Sequence, residues 1–197
     1  KVITCHIGNG ASIAAVKDGK CVDTTMGLTP LEGLMMGTRC GDIDAGAVTF
    51  IMDKEGLDTA GVSDLLNKKS GVAGLRNGAS DMRDLEAAVE AGDEEAIMVD
   101  KMYNYRIKKY VGAYAAAMGG VDVIVFTGGV GENQCSCRAA VCEGLEFLGV
   151  KMDLEKNAVK GKEVVVSAPD SKVKVVVIPT DEELMIASDT MTILEGK

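Results

Sequence analysis

The beginning of the chain carries short apolar runs separated by turns that contain glycine. We predict strands over residues 2–5, 12–16 and 21–25. The turn between the second and third runs has glycine at its third position, as is typical of a tight β-hairpin. The pattern therefore predicts an antiparallel meander, and its first turn, Gly8-Asn9-Gly10, is unusually rich in glycine.

The remainder of the chain alternates between helical and strand patterns. Residues 26–40 are predicted to form a loop, and helical spacing begins after Asp44. Ser80 is the predicted N-cap of a short helix, and Asp93 is that of a long helix ending at Gly119-Gly120. The elements predicted after it are a strand over 121–126, a helix through 139 and 145, strands over 163–167 and 173–178, and a last helix from 180 toward 194. This order indicates an α/β domain with a mixed sheet.

Size and charge limit the classes of function. The 197 residues are 47% hydrophobic, which is enough for one large domain with its own core. A formal net charge of −9 argues against binding to nucleic acid or to an anionic membrane, because both require a basic surface. We find no signal-peptide pattern and no apolar run near the roughly 20 residues that span a bilayer, and we expect a cytoplasmic protein. Lys1 lies inside a predicted strand, so we expect an excised part of a longer protein.

The six cysteines have no spacing typical of a zinc site. Cys135 and Cys137 are one residue apart, which suits neither a zinc knuckle nor a redox CxxC motif. We predict structural thiols in a reducing cytosol, and several of the cysteines lie in apolar or helical runs, where they are expected to behave as small buried hydrophobic residues.

Two glycine-rich turns are the candidates for a ligand site. Phe126–Asn133 ends a predicted strand in clustered glycines and opens a helix, so its backbone N–H groups can approach a phosphate. The alternative is a tight strand-to-helix turn without a ligand. Gly8-Asn9-Gly10 can wrap phosphate oxygens in the same way, and together the turns predict a site that holds a nucleotide from both sides. His6, the only histidine, is either a donor to phosphate or a packed residue at the strand end.

Charged residues at three loops each allow two interpretations. Arg39 could hold a transferring phosphoryl group and neutralise its charge, or it could form a surface ion pair with Asp42 or Asp44. The acids of Ser80–Arg83 and of Thr180–Glu183 could contact a ligand, or they could cap helices. Magnesium takes one or two carboxylates together with phosphate oxygens and water, so the second of these segments is a candidate metal site.

Five motifs, in this order along the chain, closely resemble the acetate kinase family. They are Ile3–Ser12, Asp23–Gly27, Gly37–Asp44, Phe126–Asn133 and Pro179–Glu183. The resemblance implies an actin-like ATPase (ribonuclease H-like) domain with a mixed central sheet flanked by helices. It also implies that residues 1–197 are the C-terminal nucleotide-binding domain, and that the last helix, about 183–197, packs toward an N-terminal domain.

The resemblance further implies ligands and residue roles. The ligands are ATP or ADP, Mg²⁺, and acetate or another short carboxylate, and the oligomer is a homodimer. For this homodimer the long helix offers exposed apolar surface, which we expect at Met98, Met102, Tyr103 and Tyr110. Arg39 is implied as the catalytic residue and Glu182 as the metal-associated carboxylate. The implied nucleotide contacts are His6, Ile7, Gly8, Asn9, Gly10, Asp81, Met82, Arg83, Gly129, Val130, Gly131, Glu132 and Asn133. Two departures from the family pattern, Ile7 for leucine and Cys40 for serine, do not touch the implied chemistry.

Three alternatives remain open on the sequence. A propionate kinase would have almost the same nucleotide half, since the acyl pocket lies largely elsewhere. A non-catalytic actin-like ATP-binding module would not need Arg39. A dinucleotide-binding domain would place a GxGxxG motif at the first helix, and Gly128–Asn133 comes too late for that.

Overall fold

The computed structural model describes residues 1–196, and a six-stranded mixed sheet lies at its centre. The strands are β1 (Val2–Ile7), β2 (Ala11–Lys17), β3 (Lys20–Thr24), β4 (Val123–Thr127), β5 (Val164–Val165) and β6 (Lys174–Val177). Their order across the sheet is β3-β2-β1-β4-β6-β5. The β1, β4 and β6 strands are parallel to one another, and the other pairings are antiparallel.

Helices flank this sheet. They are α1 (Ala45–Glu55), α2 (Thr59–Lys68), α3 (Gly71–Leu75), α4 (Met82–Glu90), α5 (Glu94–Met118), α6 (Gly128–Asn133), α7 (Cys135–Cys142), α8 (Leu154–Asn157) and α9 (Glu182–Leu194). The predicted mixed sheet with flanking helices is therefore confirmed. Within residues 1–196, no helix combines the length and the apolar character that crossing a bilayer requires.

The parallel strands position the candidate site. In β1 the residues alternate between buried and half-buried, with Ile3, Cys5 and Ile7 fully buried. This face belongs to the same core as the buried side of α5. Because β1 and β4 run in the same direction, their carboxyl ends meet at one edge of the sheet, where His6 is level with Thr127. Both glycine-rich turns begin at this edge.

The structure corrects three local predictions. Asp81, not Ser80, is the N-cap of α4, because its carboxylate accepts a hydrogen bond from the Arg83 amide at 2.8 Å. The helix predicted after β4 is two helices, because Gln134 has an extended backbone between α6 and α7. Tyr103, which we had expected on an exposed apolar face of α5, is 1% exposed and belongs to the core.

The cysteines are only partly as predicted. Cys5, Cys137 and Cys142 are buried, and their burial raises the pKa of each thiol, that of Cys142 to about 12. These three are structural thiols. Cys21 is exposed, and Cys40 and Cys135 are half-buried.

The last helix differs from the others in its surroundings. No residue of α9 is buried, although the helix is rich in apolar side chains. Its exposed large apolar residues are Leu184, Met185, Ile186, Met191, Ile193 and Leu194. Its packing toward a further domain stays a prediction, and Lys197, at the end of the predicted range, lies outside the described residues.

Candidate functional site

A cleft of about 630 Å³ opens at the edge of the sheet where β1 and β4 end. Its volume lies within the usual range for small-molecule sites. The lining residues come from the β1–β2 turn, the start of α4, α6 and the segment after α8. They are Gly8, Asn9, Ser80, Asp81, Met82, Arg83, Glu86, Gly129, Val130, Asn133, Gln134 and Lys160.

The two glycine-rich turns meet inside this cleft. A Cβ atom on Gly8 would lie 3.2 Å from the carbonyl oxygen of Gly10 and 3.9 Å from the amide nitrogen of Gly129. Gly128 has a φ of +78°, and a Cβ there would lie 2.9 Å from the carbonyl oxygen of Ile7. Glycine is required at Gly128 for both reasons. The turns thus present backbone from two directions to one space, as the sequence predicted.

The Glu132 side chain holds the second glycine-rich turn, which begins at Gly128, in place through hydrogen bonds. One of its carboxylate oxygens accepts hydrogen bonds from the backbone amides of Gly128 at 2.8 Å and Thr180 at 2.9 Å. The hydroxyl groups of Thr127 and Thr180 are 2.6 Å apart. Glu132 was predicted as a nucleotide contact, but its carboxylate is directed to the backbone, where it joins the end of β4 to the segment before α9.

Eight of the thirteen predicted nucleotide contacts line the cleft, and five do not. Those outside it are His6, Ile7, Gly10, Gly131 and Glu132. The Ile7 side chain is fully buried in the core, and Gly131 is buried within α6, so only their backbones are available. His6 is half-buried between Ser12 and Thr127 of the neighbouring strands, and its side chain has no hydrogen-bond partner within residues 1–196.

Arg39 lies next to the first turn. A Cβ on Gly10 would be 3.7 Å from Nη1 of Arg39, and this nitrogen donates to the carbonyl oxygen of Pro30 at 3.3 Å. The predicted alternative, an ion pair with Asp42 or Asp44, is wrong. Asp42 pairs with Arg106 at 3.0 Å and accepts a hydrogen bond from the Tyr110 hydroxyl, while Asp44 caps α1. Within residues 1–196, Arg39 has no carboxylate partner, so its charge is available to a ligand.

The opposite end of the cleft is made by side chains at the start of α4. The guanidinium of Arg83 pairs with the Asp81 carboxylate at 2.6 Å, and this pairing lowers the pKa of Asp81 to about 2. Gln134 donates to the carbonyl oxygen of Met82 at 2.9 Å, which joins the α6–α7 junction to α4. The charge of Arg83 is therefore already compensated, whereas that of Arg39 is not.

Sequence reasoning missed four residues of the lining, which are Ser80, Glu86, Gln134 and Lys160. Ser80 was interpreted only as a helix cap. Glu86 lies one turn after Arg83 on the same helix, so helical spacing could have indicated it. No local pattern marks Gln134 or Lys160, since a tertiary contact brings each to the cleft.

Glu182 is at a separate groove. It is exposed at the start of α9, together with Thr180 and Asp181. Within residues 1–196 it forms no ion pair, and no group of three or more metal-ligating side chains is found. A carboxylate without an ion-pair partner fits Mg²⁺, because Mg²⁺ usually takes one or two carboxylates and keeps water and phosphate oxygens as its other ligands.

Comparisons with known proteins show the family and the fold of the chain. The sequence model of the Acetokinase family matches residues 1–188. An acetate kinase of Bacteroides fragilis is 78% identical over 195 residues, which are 99% of this chain and 49% of that protein. The crystal structure of Porphyromonas gingivalis acetate kinase matches with 62% identity and a TM-score of 0.94, over 98% of this chain and 49% of that one.

A propionate kinase structure from Francisella tularensis is also similar, with 41% identity, a TM-score of 0.87, and coverage of 94% of this chain and 47% of that one. The chain spans about half the length of the curated relatives it matches. The actin-like ATPase fold implied by the motifs is therefore shown by its solved neighbours. A family match over almost the whole chain, with the two turns and Arg39 in place, leads to one conclusion: the chain belongs to the acetokinase family.

Proposed function

We propose that the protein containing this chain transfers the γ-phosphoryl group of ATP to acetate, reversibly and with Mg²⁺, giving acetyl phosphate and ADP. The observation that carries the proposal is the meeting of two glycine turns beside an unpaired arginine. Backbone N–H groups at a strand-to-helix turn and in a glycine hairpin suit phosphate oxygens. The relatives that support acetate as the acceptor are named acetate kinases.

The nucleotide would lie along the cleft. Its phosphates would lie at Gly8 and Gly129, where the turns converge, and its adenosine would lie between the start of α4 and the end of α6. Asp81, Met82 and Arg83 would contact the adenosine on one side, and Asn133 on the other. This orientation puts the γ-phosphate near Arg39 and the nucleoside far from it.

The chemistry would depend on position and charge. Acetate is already ionised at pH 7, so it needs no general base to become a nucleophile. Catalysis would then come from in-line positioning and from stabilising charge on the transferring oxygens. Arg39 would supply that stabilisation through its guanidinium. Glu182 would hold Mg²⁺, which supplies neutralisation of the phosphate charge when it is bound.

We further propose that residues 1–197 are the nucleotide-binding domain of a longer enzyme, in which α9 packs toward the other domain. The 197-residue chain alone should then bind MgADP weakly and turn over essentially no acetate. Calorimetry with MgADP and a hydroxamate assay for acetyl phosphate would test this. Robust acetyl phosphate formation by these residues alone would contradict it.

Propionate kinase is the second candidate, favoured by the similarity to the Francisella structure. Turnover of acetate, propionate and butyrate by the full-length protein would decide between the two. Preference for propionate would overturn the choice of acetate and leave the phosphotransferase proposal intact. A non-catalytic ATP-binding module is the third candidate, and a function that survives Arg39→Ala would support it.

We also propose a cytoplasmic homodimer that binds neither nucleic acid nor membrane. The charge of −9 supports the lack of a polyanionic partner. The α5 helix exposes Met98, Met102 and Tyr105, which are apolar surface suited to a second copy. Light scattering at high micromolar concentration should give the mass of a dimer, and a monomer at that concentration would overturn this proposal.

A further inference from the structure

The segment Asn157–Gly161 forms a side wall of the cleft, and Lys160 is its contribution to the lining. Asn157 is the last residue of α8, and residues 158–161 have no regular secondary structure. Segments of this kind are usually mobile at a protein surface. This one is held to the body of the domain at several points.

A fully buried arginine provides most of those points. Arg138 of α7 donates to the side-chain and main-chain oxygens of Asn157, at 2.8 and 2.6 Å, and to the carbonyl oxygen of Val159 at 2.8 Å. It also donates to the carbonyl oxygen of Gly131 at 2.9 Å, so it joins the segment directly to α6. Val159, the residue immediately before Lys160, is therefore held in place by a hydrogen bond from Arg138.

The residue immediately after Lys160 is anchored as well. The backbone amide of Gly161 donates to the carbonyl oxygen of Glu132 at 3.1 Å. In addition, the Asn157 side chain donates to the carbonyl oxygen of Cys135 at 2.8 Å. Lys160 is thus presented from a short stretch with fixed ends.

The residue that anchors the segment is a buried cation, whose removal from water is unfavourable. Arg138 is 0% exposed, its hydrogen-bond acceptors are all carbonyl oxygens, and within residues 1–196 it has no carboxylate partner. Burial lowers its pKa, as expected for a cation removed from water. Burying an unpaired charge is expensive unless its hydrogen bonds are satisfied. Here four hydrogen bonds, to the segment and to α6, offset that cost and hold the segment in place.

Lys160 is also the cation of the lining that lacks a partner. Among the described residues that line the cleft, the only other cation is Arg83, which is paired with Asp81. Within residues 1–196, Lys160 forms no ion pair, and the remaining charged residue of the lining, Glu86, is an acid. Lys160 is therefore free to donate to a ligand.

The position of Lys160 indicates which part of a nucleotide it reaches. A Cβ on Gly161 would lie 3.6 Å from Oδ1 of Asn133, so the segment adjoins the end of α6. Gly129, at the phosphate end, is four residues earlier, which corresponds to about 6 Å along a helix. The backbone that carries Lys160 is thus nearer to the nucleoside end than to the meeting of the turns.

We propose that Lys160 is a nucleotide-binding residue that donates a hydrogen bond to an oxygen or ring nitrogen of the nucleoside. The proposal rests on the nucleotide site of the proposed function and assigns to that site a contact that neither the motifs nor the relatives' names indicate. Lys160 binds the nucleoside whether or not the phosphates are present, and it takes no part in phosphoryl transfer.

The test measures the affinity of the full-length protein and of its Lys160→Ala and Lys160→Gln variants for adenosine, AMP and ADP by calorimetry. Loss of a charge-assisted hydrogen bond at an exposed site should weaken binding about fivefold, by the same factor for all three ligands. Lys162→Ala is the matched control, because it removes the same charge two residues away, outside the cleft lining, and should change nothing. A 2′-deoxyadenosine arm distinguishes the acceptors: a loss that disappears assigns the 2′-hydroxyl of the ribose, and a loss that persists assigns the base or another ribose oxygen.

Two results would overturn the contact. One is unchanged affinity in both Lys160 variants, and the other is a loss that grows with the number of phosphates or equals that of Lys162→Ala. Failure of the unaltered protein to bind any of the three ligands would instead overturn the nucleotide site itself, and the contact with it.

Discussion

The two ends of the cleft are built in different ways. At the end near Gly8 and Gly128, the backbone is positioned by the carboxyl ends of adjacent parallel strands, and glycines bring it close. At the end near Arg83 and Lys160, side chains extend from the start of α4 and from an irregular segment. The first end depends on the core of the sheet, whereas the second depends on contacts between elements that are distant in sequence.

This difference predicts different consequences of substitution. Changes at the strand end should damage the chemical step or the fold, because backbone geometry there is tied to β1 and β4. Changes at the helical end should weaken binding and leave the chemical step intact, because those side chains are far from the transferring group.

The largest effect is expected from Arg39→Ala in the full-length protein. Loss of a group that stabilises charge only in the transition state should lower kcat by about a hundredfold or more, with nucleotide affinity nearly unchanged. Steady-state kinetics with saturating Mg²⁺ would measure both. Arg39→Lys is the control, and it should recover only part of the activity, because an ammonium lacks the planar fork of a guanidinium. Weaker ATP binding with unaltered kcat in Arg39→Ala would contradict this prediction, because Arg39 would then act in binding and not in the chemical step.

Gly128→Ala should have the next largest effect, and we expect that effect to be a loss of stability. The positive φ and the 2.9 Å approach to the Ile7 carbonyl oxygen make a side chain strained there, so we expect a loss of about 2 kcal/mol in the free energy of unfolding. Urea denaturation would measure it.

Gly129→Ala is the matched control for Gly128→Ala. Apart from its chain neighbours and its own helix, no atom of residues 1–196 lies within 4 Å of a Cβ at Gly129, so stability should hardly change. The new methyl group enters the cleft and should weaken nucleotide binding. Equal destabilisation by the two variants would show that the turn is not constrained as described.

A smaller effect is expected from Arg83→Ala. If Arg83 contacts the adenosine in the ground state and the transition state alike, KM for ATP should rise by about fivefold to tenfold with kcat spared. The same kinetic assay as for Arg39 tests it. Collapse of kcat in Arg83→Ala would show that the two ends of the cleft have been assigned the wrong way round.

The smallest effect is a titration at the helical end. Pairing with Arg83 lowers the pKa of Asp81 from 3.8 to about 2. The folded-state pKa is depressed, so the contribution of this pair to stability is present above pH 3.8 and is lost as the pH falls toward 2. Carboxyl carbon NMR should show the Asp81 midpoint near 2, and Arg83→Ala should bring it back toward 3.8. A midpoint at 3.8 in the unaltered protein would mean that the pair does not form in solution.

Local patterns were sufficient where a structure depends on neighbours in sequence. Alternating residues predicted β1 and β2, and the glycines predicted both turns, since these features follow from strand periodicity and from allowed backbone angles. The motifs also identified eight residues of the cleft lining, because those residues lie at turns and helix starts that the family pattern contains.

Sequence patterns were insufficient where two nearby residues could each take the same structural position. Ser80 and Asp81 are both good N-caps, and only the structure shows that Asp81 is the residue that accepts the Arg83 amide, with the Arg83 guanidinium paired to the same carboxylate. Tyr103 and Tyr105 are close neighbours on one helix, and only the position of the sheet shows that Tyr103 is buried and Tyr105 exposed.

By itself, the sequence determined the α/β class, the family and the glycine turns, because each follows from short local patterns and from their order along the chain. The tertiary structure alone decided that Arg39 has no ion-pair partner among the described residues 1–196, that the Glu132 carboxylate binds the backbone, and that Lys160 lines the cleft. Each of these depends on hydrogen bonds or contacts between segments separated by tens of residues, such as those from Arg106 to Asp42 and from Thr180 to Glu132. Contacts between residues so far apart in sequence produce no periodic pattern, because the partners come together only when the chain folds.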